Sequence, residues 1–182
     1  TSVTIPSNIV GLASGVFYGC TNLEIIDFQT TSFSIGSNAF TNTAWYNNQP
    51  EGLIYLNNIL LEYKGDKSKV THIVIKDGTK ILAKRDSNEE SLGTFAGYTS
   101  LKSIIIPNSV KEIDSRAFYG CSSLESIVLP DSLEEIPSYA FISCTSLKSI
   151  IIPNNVKKID RRAFYGCLSL ESIILPNSLE TI

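Results

Sequence analysis

The sequence predicts a solenoid, a fold in which repeated coils stack along one axis and each coil buries its apolar side chains only against its neighbours. The repeat has a period of 23, the step from Leu101 to Leu124, because four kinds of residue recur at that spacing. These columns hold leucine, proline, phenylalanine and cysteine, at Leu101, Leu124, Leu147 and Leu170; at Pro107, Pro130, Pro153 and Pro176; at Phe118, Phe141 and Phe164; and at Cys121, Cys144 and Cys167. We therefore expect short parallel strands on one face of the solenoid, with turns and short helical segments on the other.

Each regular unit divides into a strand, a turn and a segment that returns to the next strand. The β-branched run at residues 104–106 predicts the strand, and Pro107 ends it because proline lacks a donor N–H and has a fixed φ. Val110 then points back into the core, and the following segment carries Phe118 on one short helical turn. Gly120 lets the chain turn toward the next strand.

We expect a single repeat domain over residues 1–182, with one irregular coil. Its repeats cover about 1–22, 23–45, 70–100, 101–123, 124–146 and 147–169, followed by a partial repeat at 170–182. The irregular coil, residues 46–69, has apolar runs on either side of Asn57 and Asn58, which predicts a hairpin on a tight turn. The unit at 70–100 is longer than the regular ones, and its polar run at 84–91 predicts a surface loop.

The same columns carry a family resemblance. The pattern Leu-x-x-Ile-x-Ile-Pro-x-x-Val-x-x-Ile-x-x-x-Ala-Phe-x-x-Cys, written out at residues 101–121, resembles the BspA-like leucine-rich repeats, also called the Treponema pallidum type. The stretches at residues 42–52, 63–65 and 73–79 look like the interrupted coil of bacterial members. The resemblance implies a leucine-rich-repeat solenoid in an extracellular or cell-surface bacterial protein, and it implies that some relatives act as adhesins.

The composition narrows the classes of partner and chemistry. A formal net charge of -3 and a pI near 5.2 give no reason to expect nucleic acid. No apolar run approaches the roughly 18 to 20 residues that a membrane span needs. The sequence has neither a glycine-rich phosphate loop nor a zinc-binding spacing, so no cofactor or metal is expected. The chain contains no Met and starts and stops inside a repeat, which is typical of a fragment of a longer protein.

The four cysteines are expected to be free thiols in the core. They share one column of the repeat, at Cys20, Cys121, Cys144 and Cys167. Where a repeat lacks cysteine, Thr43 or Tyr98 takes its place, and a column that accepts residues without sulfur indicates a packing role. The alternative is a disulfide between stacked neighbours such as Cys121 and Cys144, but their Cβ vectors would run parallel rather than toward each other.

His72 is the single histidine of the chain, and it aligns with the serines of the later strands. Ser103 would be its neighbour on the next coil. The column offers no carboxylate to orient the imidazole and no obvious oxyanion site, so a catalytic set is incomplete. We therefore expect His72 to be a solvated strand residue, and we expect no enzyme.

The exposed face of the sheet is the candidate surface for ligand contact. Side chains alternate along a strand, so Ile104 and Ile106 point inward while Ser103 and Ile105 point outward. Stacking turns each outward position into a ladder along the solenoid. The predicted contact residues form an aliphatic ladder, Val74, Ile105, Val128, Ile151 and Ile174; a serine ladder, Ser103, Ser126 and Ser149; and a charged ladder, Lys102, Glu125 and Lys148, which Glu171 continues.

The charged and aliphatic ladders have different interpretations. Charges of opposite sign alternate in the first, so neighbours can pair across about 5 Å and fix the register of the coils. A contiguous exposed apolar ladder usually marks a contact site. Two alternatives stay open for the aliphatic ladder: its β-branched residues suit a strand for its own sake, or another part of the full-length protein covers it.

The predicted function is protein interaction or adhesion through this sheet face, with a host extracellular-matrix protein or another cell-surface protein as the partner. One alternative is a structural spacer or stalk that presents another domain. A second is glycan recognition through Trp45, Tyr46 and Tyr55 in the irregular coil, although Trp45 closely follows an Ala-Phe motif and is expected to fill the break in the core.

Overall fold

The computed structural model describes residues 1–29, 34–36, 38–83 and 93–182. These residues form two compact units. The first comprises Thr1–Gly65 together with Ala83, and the second comprises Asp66–Leu82 together with residues 93–182. The predicted surface loop at residues 84–91 lies outside the described residues.

The first unit contains two parallel strand pairs, one short helix and a hairpin. Its elements in chain order are β1 Ser2–Ile5, β2 Gly11–Leu12, β3 Ile25–Phe28, β4 Ser34–Ile35, α1 Ala44–Asn47, β5 Gly52–Leu56 and β6 Ile59–Lys64. Strand β1 pairs in parallel with β3, and β2 pairs in parallel with β4. Ser2 lies opposite Ile25, and Gly11 lies opposite Ser34, so both pairs join residues one period apart, as the repeat predicts.

The irregular coil contains the predicted hairpin. Strands β5 and β6 are antiparallel, with Leu56 opposite Ile59 across the turn. Asn57 has a φ of 53°, a left-handed conformation that asparagine tolerates better than most residues. Its side-chain Nδ2 also donates to the carbonyl of Phe28 at 3.2 Å, which ties the turn to strand β3.

Helix α1 is a single turn that is capped at both ends. The Thr43 hydroxyl accepts from the backbone N–H of Tyr46 at 3.0 Å, the usual arrangement of an N-cap. At the other end, the Lys64 ammonium donates to the carbonyls of Tyr46, Asn47 and Gln49 at 3.1, 2.8 and 2.5 Å. A cation in this position satisfies carbonyls that have no partner within the helix.

The second unit contains the regular coils. After a 3₁₀ helix at Lys67–Lys69, its strands are β7 His72–Val74, β8 Ile81–Leu82, β9 Ser103–Ile105, β10 Ser126–Val128, β11 Glu135–Ile136, β12 Ser149–Ile151, β13 Lys158–Ile159 and β14 Ser172–Ile174. Strands β7, β9 and β10 form one parallel sheet, β12 pairs with β14, and β11 pairs with β13. These pairings establish a parallel-strand solenoid of leucine-rich-repeat type.

A spine of phenylalanine rings fills the core of the second unit. Phe95, Phe118, Phe141 and Phe164 stack nearly parallel, with successive ring centroids 5.6, 5.2 and 5.3 Å apart. The inward strand positions, such as Ile104, are buried as expected. The repeat therefore brings one large aromatic side chain from each coil into the same column.

The segment that carries each phenylalanine is a series of turns rather than a helix. Arg116, expected in a short helical turn, has a φ of 58°, which an α-helix excludes. The N–H groups of Arg116 and Phe118 donate to the carbonyls of Ser138 and Ala140 on the next coil at 3.2 and 2.9 Å. Bonds between coils thus take the place of the i→i−4 bonds of a helix. Among the described residues, the helical segments are Ala44–Asn47 and Lys67–Lys69.

The cysteine column is a set of free thiols. Cys121, Cys144 and Cys167 each donate from Sγ to the phenylalanine carbonyl of the preceding coil at 3.1 Å. Burial raises the pKa of the Cys121 thiol to about 12 and also raises the pKa values of Cys144 and Cys167. Cys20 differs from the expectation of a core thiol, because it is exposed and belongs to the first coil of this sequence.

The two substitutes for cysteine, Thr43 and Tyr98, are both buried. The Thr43 hydroxyl donates to the carbonyl of Phe40 at 2.8 Å, so it bonds a phenylalanine carbonyl of its own coil where the thiols bond one of the coil before. The buried positions of this column therefore hold a thiol, a hydroxyl or a larger aromatic side chain.

Candidate binding surface

The aliphatic ladder lies on the outward face of the strands in the second unit. Val74, Ile105 and Val128 stand on the hydrogen-bonded strands β7, β9 and β10, with Val74 opposite Ile105 and Ile105 opposite Val128. Ile151 stands opposite Ile174 on β12 and β14. The exposed fraction of these five side chains runs from 52% to 66%. A β-branched side chain this exposed leaves most of its apolar surface in water.

The serine ladder runs beside the aliphatic one. Ser103 is half-buried, while Ser126 and Ser149 are exposed. His72 lies opposite Ser103, and its Nδ1 is 2.8 Å from the serine Oγ. The sheet face thus carries hydroxyl groups in one row and aliphatic groups in the next.

His72 and Ser103 are hydrogen-bonded neighbours on the sheet face. In the part of the chain that the structure describes, the side-chain hydrogen bond of His72 is to Ser103, and no carboxylate orients the ring. A serine nucleophile needs a base held in position by a third group, together with donors for the developing oxyanion. The pair supplies the contact between a serine and a base, and no carboxylate among the described residues holds that base in position.

The charged ladder is exposed and immediately precedes the serines, at the start of each strand. Lys102, Glu125, Lys148 and Glu171 are all exposed. The backbone joins neighbours, since Glu125 N donates to Lys102 O at 3.1 Å and Glu171 N donates to Lys148 O at 2.9 Å. Among the described residues the ion pairs lie elsewhere, so the side-chain pairing expected along this ladder is not observed.

Two further kinds of site are a metal cluster and a membrane-spanning helix. Residues 1–29, 34–36, 38–83 and 93–182 contain no cluster of histidine, cysteine or acidic side chains that suits a metal ion. Within those ranges there is also no helix with the length and apolar character to cross a membrane.

The aromatic side chains around the irregular coil are half-buried, and two of them contact neighbouring side chains. Trp45 is half-buried and meets Phe40 edge-on, with ring centroids 5.6 Å apart. The Lys64 ammonium lies 5.4 Å from the centroid of the Tyr46 ring. Tyr55 is half-buried on strand β5. A platform for a sugar ring would need an open aromatic face, and the Lys64 ammonium lies over one face of the Tyr46 ring.

A cluster of arginine and tyrosine on the turn side of the second unit was not predicted. The Arg116 and Arg161 guanidinium groups lie 4.9 and 5.3 Å from the centroid of the Tyr139 ring. Arg116 and Tyr139 are one period apart, as are Tyr139 and Arg162, so these three positions form one column. That spacing was the available signal for Arg116, and only the structure shows that the guanidinium groups of Arg116 and Arg161 lie over the Tyr139 ring.

Comparison with known proteins agrees with the coils and their spacing. The family model described as a BspA type leucine-rich repeat region matches residues 1–64 and 66–182, in six copies. No curated protein sequence matches the chain.

Solved structures of bacterial leucine-rich-repeat proteins are similar to the chain. A leucine-rich cell-surface protein from Faecalibacterium prausnitzii is 25% identical with a TM-score of 0.60, and the match covers 98% of this chain and 54% of that one. A leucine-rich repeat protein from Bacteroides ovatus is 27% identical with a TM-score of 0.55, over 100% of this chain and 56% of the other. The chain thus spans about half the length of these proteins.

The Treponema pallidum leucine-rich repeat protein is also similar, at 28% identity and a TM-score of 0.45 over 96% of this chain and 58% of its own. Together, the family model and the first two structures support a repeat module for protein interaction. The six copies of the repeat cover nearly the whole sequence, and the chain therefore belongs to the BspA-type leucine-rich-repeat family.

Proposed function

We propose that this chain is a non-catalytic interaction and adhesion module of a secreted or cell-surface bacterial protein. It binds a protein partner through the outward sheet face of the second unit, and the partner is an extracellular-matrix protein of the host or another cell-surface protein. The observation that carries the proposal is the row of five exposed aliphatic side chains, with Val128 at its centre. The cell-surface description of the Faecalibacterium prausnitzii protein supports the location.

The physical argument is the cost of leaving this row in water. Burial of apolar surface is worth roughly 25 cal/mol per Å², so a partner that covers several of these side chains gains a substantial part of its binding free energy there. Backbone hydrogen bonds already fix the strands that carry Val74, Ile105 and Val128. Little conformational entropy is lost when such a rigid surface is covered.

The test is a triple substitution that places lysine in the row. Ile105→Lys, Val128→Lys and Ile151→Lys together should weaken binding to immobilised fibronectin, laminin or collagen, whichever of these the unchanged chain binds, by at least about tenfold. Surface plasmon resonance measures the dissociation constant, and circular dichroism checks that each variant is folded.

A matched control carries the same three charges on other exposed apolar residues. Tyr119→Lys, Tyr165→Lys and Leu168→Lys change side chains that are exposed away from strands β9, β10 and β12. This control should keep the affinity of the unchanged chain. The proposal is wrong if the row variant binds as well as the control. If the unchanged chain binds none of the three proteins, they are excluded as partners and the same pair of variants is compared on a cell-surface protein.

A further inference from the structure

The charged ladder of the sheet face reads lysine, glutamate, lysine, glutamate along successive coils, at Lys102, Glu125, Lys148 and Glu171. All four side chains are exposed, and the ion pairs of the described residues do not include them. Their charges therefore remain available to a partner. In the opposite direction the order is glutamate, lysine, glutamate, lysine. Two copies of the ladder that run in opposite directions therefore place a lysine opposite a glutamate at every position.

A twofold axis parallel to the strands brings two such ladders together face to face. This operation reverses the order of the coils and keeps each residue at the same position along its strand. With the axis between β10 and β12, Lys102 faces Glu171 of the second copy, and Glu125 faces its Lys148. A shift by one coil would put lysine opposite lysine, and like charges held together cost free energy.

The same operation places the aliphatic ladders on each other. Ile105 then faces Ile174 of the second copy, and Val128 faces its Ile151. A twofold axis along the solenoid would instead place the charged ladder over the aliphatic one, which would strip water from the charges without pairing them. One arrangement of two copies therefore pairs the charges and buries the apolar rows together.

We propose that this sheet face binds a second copy of the chain, with the coils of the two copies in antiparallel order. The proposal rests on the proposed function, because it takes the same face as the binding surface and names the partner. Sheets that pack face to face lie about 10 Å apart, a gap that a lysine and a glutamate can span together. In solution the complex is a symmetric dimer, and between two cells the same contact is homophilic adhesion.

The size of the face sets the strength of this contact. Four coils spaced about 4.8 Å apart span on the order of 20 Å, which is at the low end for a specific protein interface. We therefore expect weak association, measurable by sedimentation velocity at protein concentrations on the order of 1 mM and strongest at low ionic strength.

Charge inversion tests the register directly. Lys102→Glu with Lys148→Glu makes the ladder wholly acidic, and Glu125→Lys with Glu171→Lys makes it wholly basic. Each variant alone should self-associate at least about tenfold more weakly than the unchanged chain, because like charges then face each other. An equimolar mixture of the two should recover association, since every facing pair again has opposite charge.

A second ladder of the same alternation provides the control. Lys111, Glu134, Lys157 and Glu180 are exposed and follow the prolines of the repeat, away from the aliphatic row. Glu134→Lys with Glu180→Lys adds the same charge as the basic variant of the sheet face. The control keeps the unchanged sheet-face ladder, so alone it should self-associate as the unchanged chain does. The acidic variant, labelled and mixed with an excess of this control, should regain much less association than it does with the basic variant, which separates a specific register from general attraction between oppositely charged proteins.

Three results would overturn the proposal: a monomeric unchanged chain at the highest concentration, a mixture that fails to recover association, or equal recovery with the control. None of these bears on binding to matrix proteins, which the lysine triple variant tests separately. If the triple variant loses matrix binding while charge inversion leaves self-association unaltered, the sheet face stands as a binding surface and the second copy is excluded as its partner.

Discussion

At the scale of single residues, Phe141 is the clearest test of the core. Its ring is fully buried between Phe118 and Phe164, with centroid distances of 5.2 and 5.3 Å. Phe141→Ala should lower the free energy of unfolding by about 3–5 kcal/mol, because the lost contacts and the cavity both destabilise the fold. Urea denaturation followed by circular dichroism measures this. Tyr165→Ala, at an exposed position, should stay within about 0.5 kcal/mol, and an equal loss in both variants would contradict the spine.

The buried thiols predict how stability depends on pH. Burial raises the pKa of Cys121 to about 12 and also raises that of Cys144, whereas a thiol in an unfolded chain ionises near 8.5. Between those values the unfolded chain binds fewer protons, so unfolding becomes easier as the pH rises. The stabilisation is fully present below about pH 8.5 and decreases above it by about 1.4 kcal/mol per thiol for each pH unit.

Unfolding free energies at about pH 8 and pH 10 check this sign. The double variant Cys121→Ala and Cys144→Ala removes both buried thiols, so its stability should fall less steeply over the same interval. Tyrosine and lysine ionisation affect both proteins alike, and the comparison isolates the thiols. Equal slopes would mean that the cysteines ionise as readily in the folded chain as in the unfolded one.

Residue by residue, the sequence was most informative where the repeat was regular. The period identified which side chain of each pair points inward, as with Ile104 and Ile105, because alternation along a strand is a geometric rule. The exposure of Cys20 was not predicted, because a column describes what a position shares with its neighbours.

At the scale of elements, Lys64 links the hairpin to helix α1. Its ammonium donates to the carbonyls of Tyr46, Asn47 and Gln49. Lys64→Met keeps most of the aliphatic stem and removes the charge. The three carbonyls then lose the ammonium donor, although Tyr46 O still accepts from the backbone N–H of Gln49. We expect a loss of about 1–2 kcal/mol in the free energy of unfolding, below the full value of charged hydrogen bonds because Lys64 is partly exposed.

The control for Lys64 is Lys80→Met, which removes the same charge at an exposed position. Thermal unfolding of both variants at the same pH measures the difference. If Lys80→Met is as destabilising as Lys64→Met, the effect comes from net charge and the capping role is wrong.

The elements also show where sequence patterns stop being informative. The hairpin was predictable because Asn57 and Asn58 separate two apolar runs of strand length. The turns around Arg116 were not predictable, since Ala117 and Phe118 follow Ser115, a residue type that can cap a helix, and this order is compatible with one helical turn. The decisive feature is the left-handed conformation at Arg116, which allows hydrogen bonds to the next coil. Lys64 as a cap was equally hidden, because it depends on contacts between residues well separated in the sequence.

At the scale of the whole molecule, the repeat specifies the architecture without specifying a partner. A column such as Ile105 and Val128 is outward-facing in any solenoid of this period, so its exposure followed from the sequence. Its role in binding does not follow in the same way, because an apolar row is chemically complementary to many surfaces. Only the order of charges beside it distinguishes one arrangement of partners from another.

The modularity of the solenoid leads to the last prediction. Deleting residues 124–146 removes one whole unit and joins Ser123 to Leu147, which restores the leucine column. Each coil packs only on its neighbours, so the shortened chain should still unfold cooperatively, with a smaller urea m-value because less surface is buried. Deleting residues 124–139 removes only part of a unit and places side chains out of register, and this control should not fold.

Binding by the shortened chain separates an interaction module from a spacer. The deletion removes Val128 and Glu125 and places Lys102 on the coil next to Lys148, so the surface has both a shorter apolar row and a broken charge order. A module that binds through this face should therefore lose affinity for its matrix protein by at least about tenfold and cease to self-associate. A spacer needs only length and rigidity, so a folded deletion variant with unchanged affinity in both measurements would favour that role.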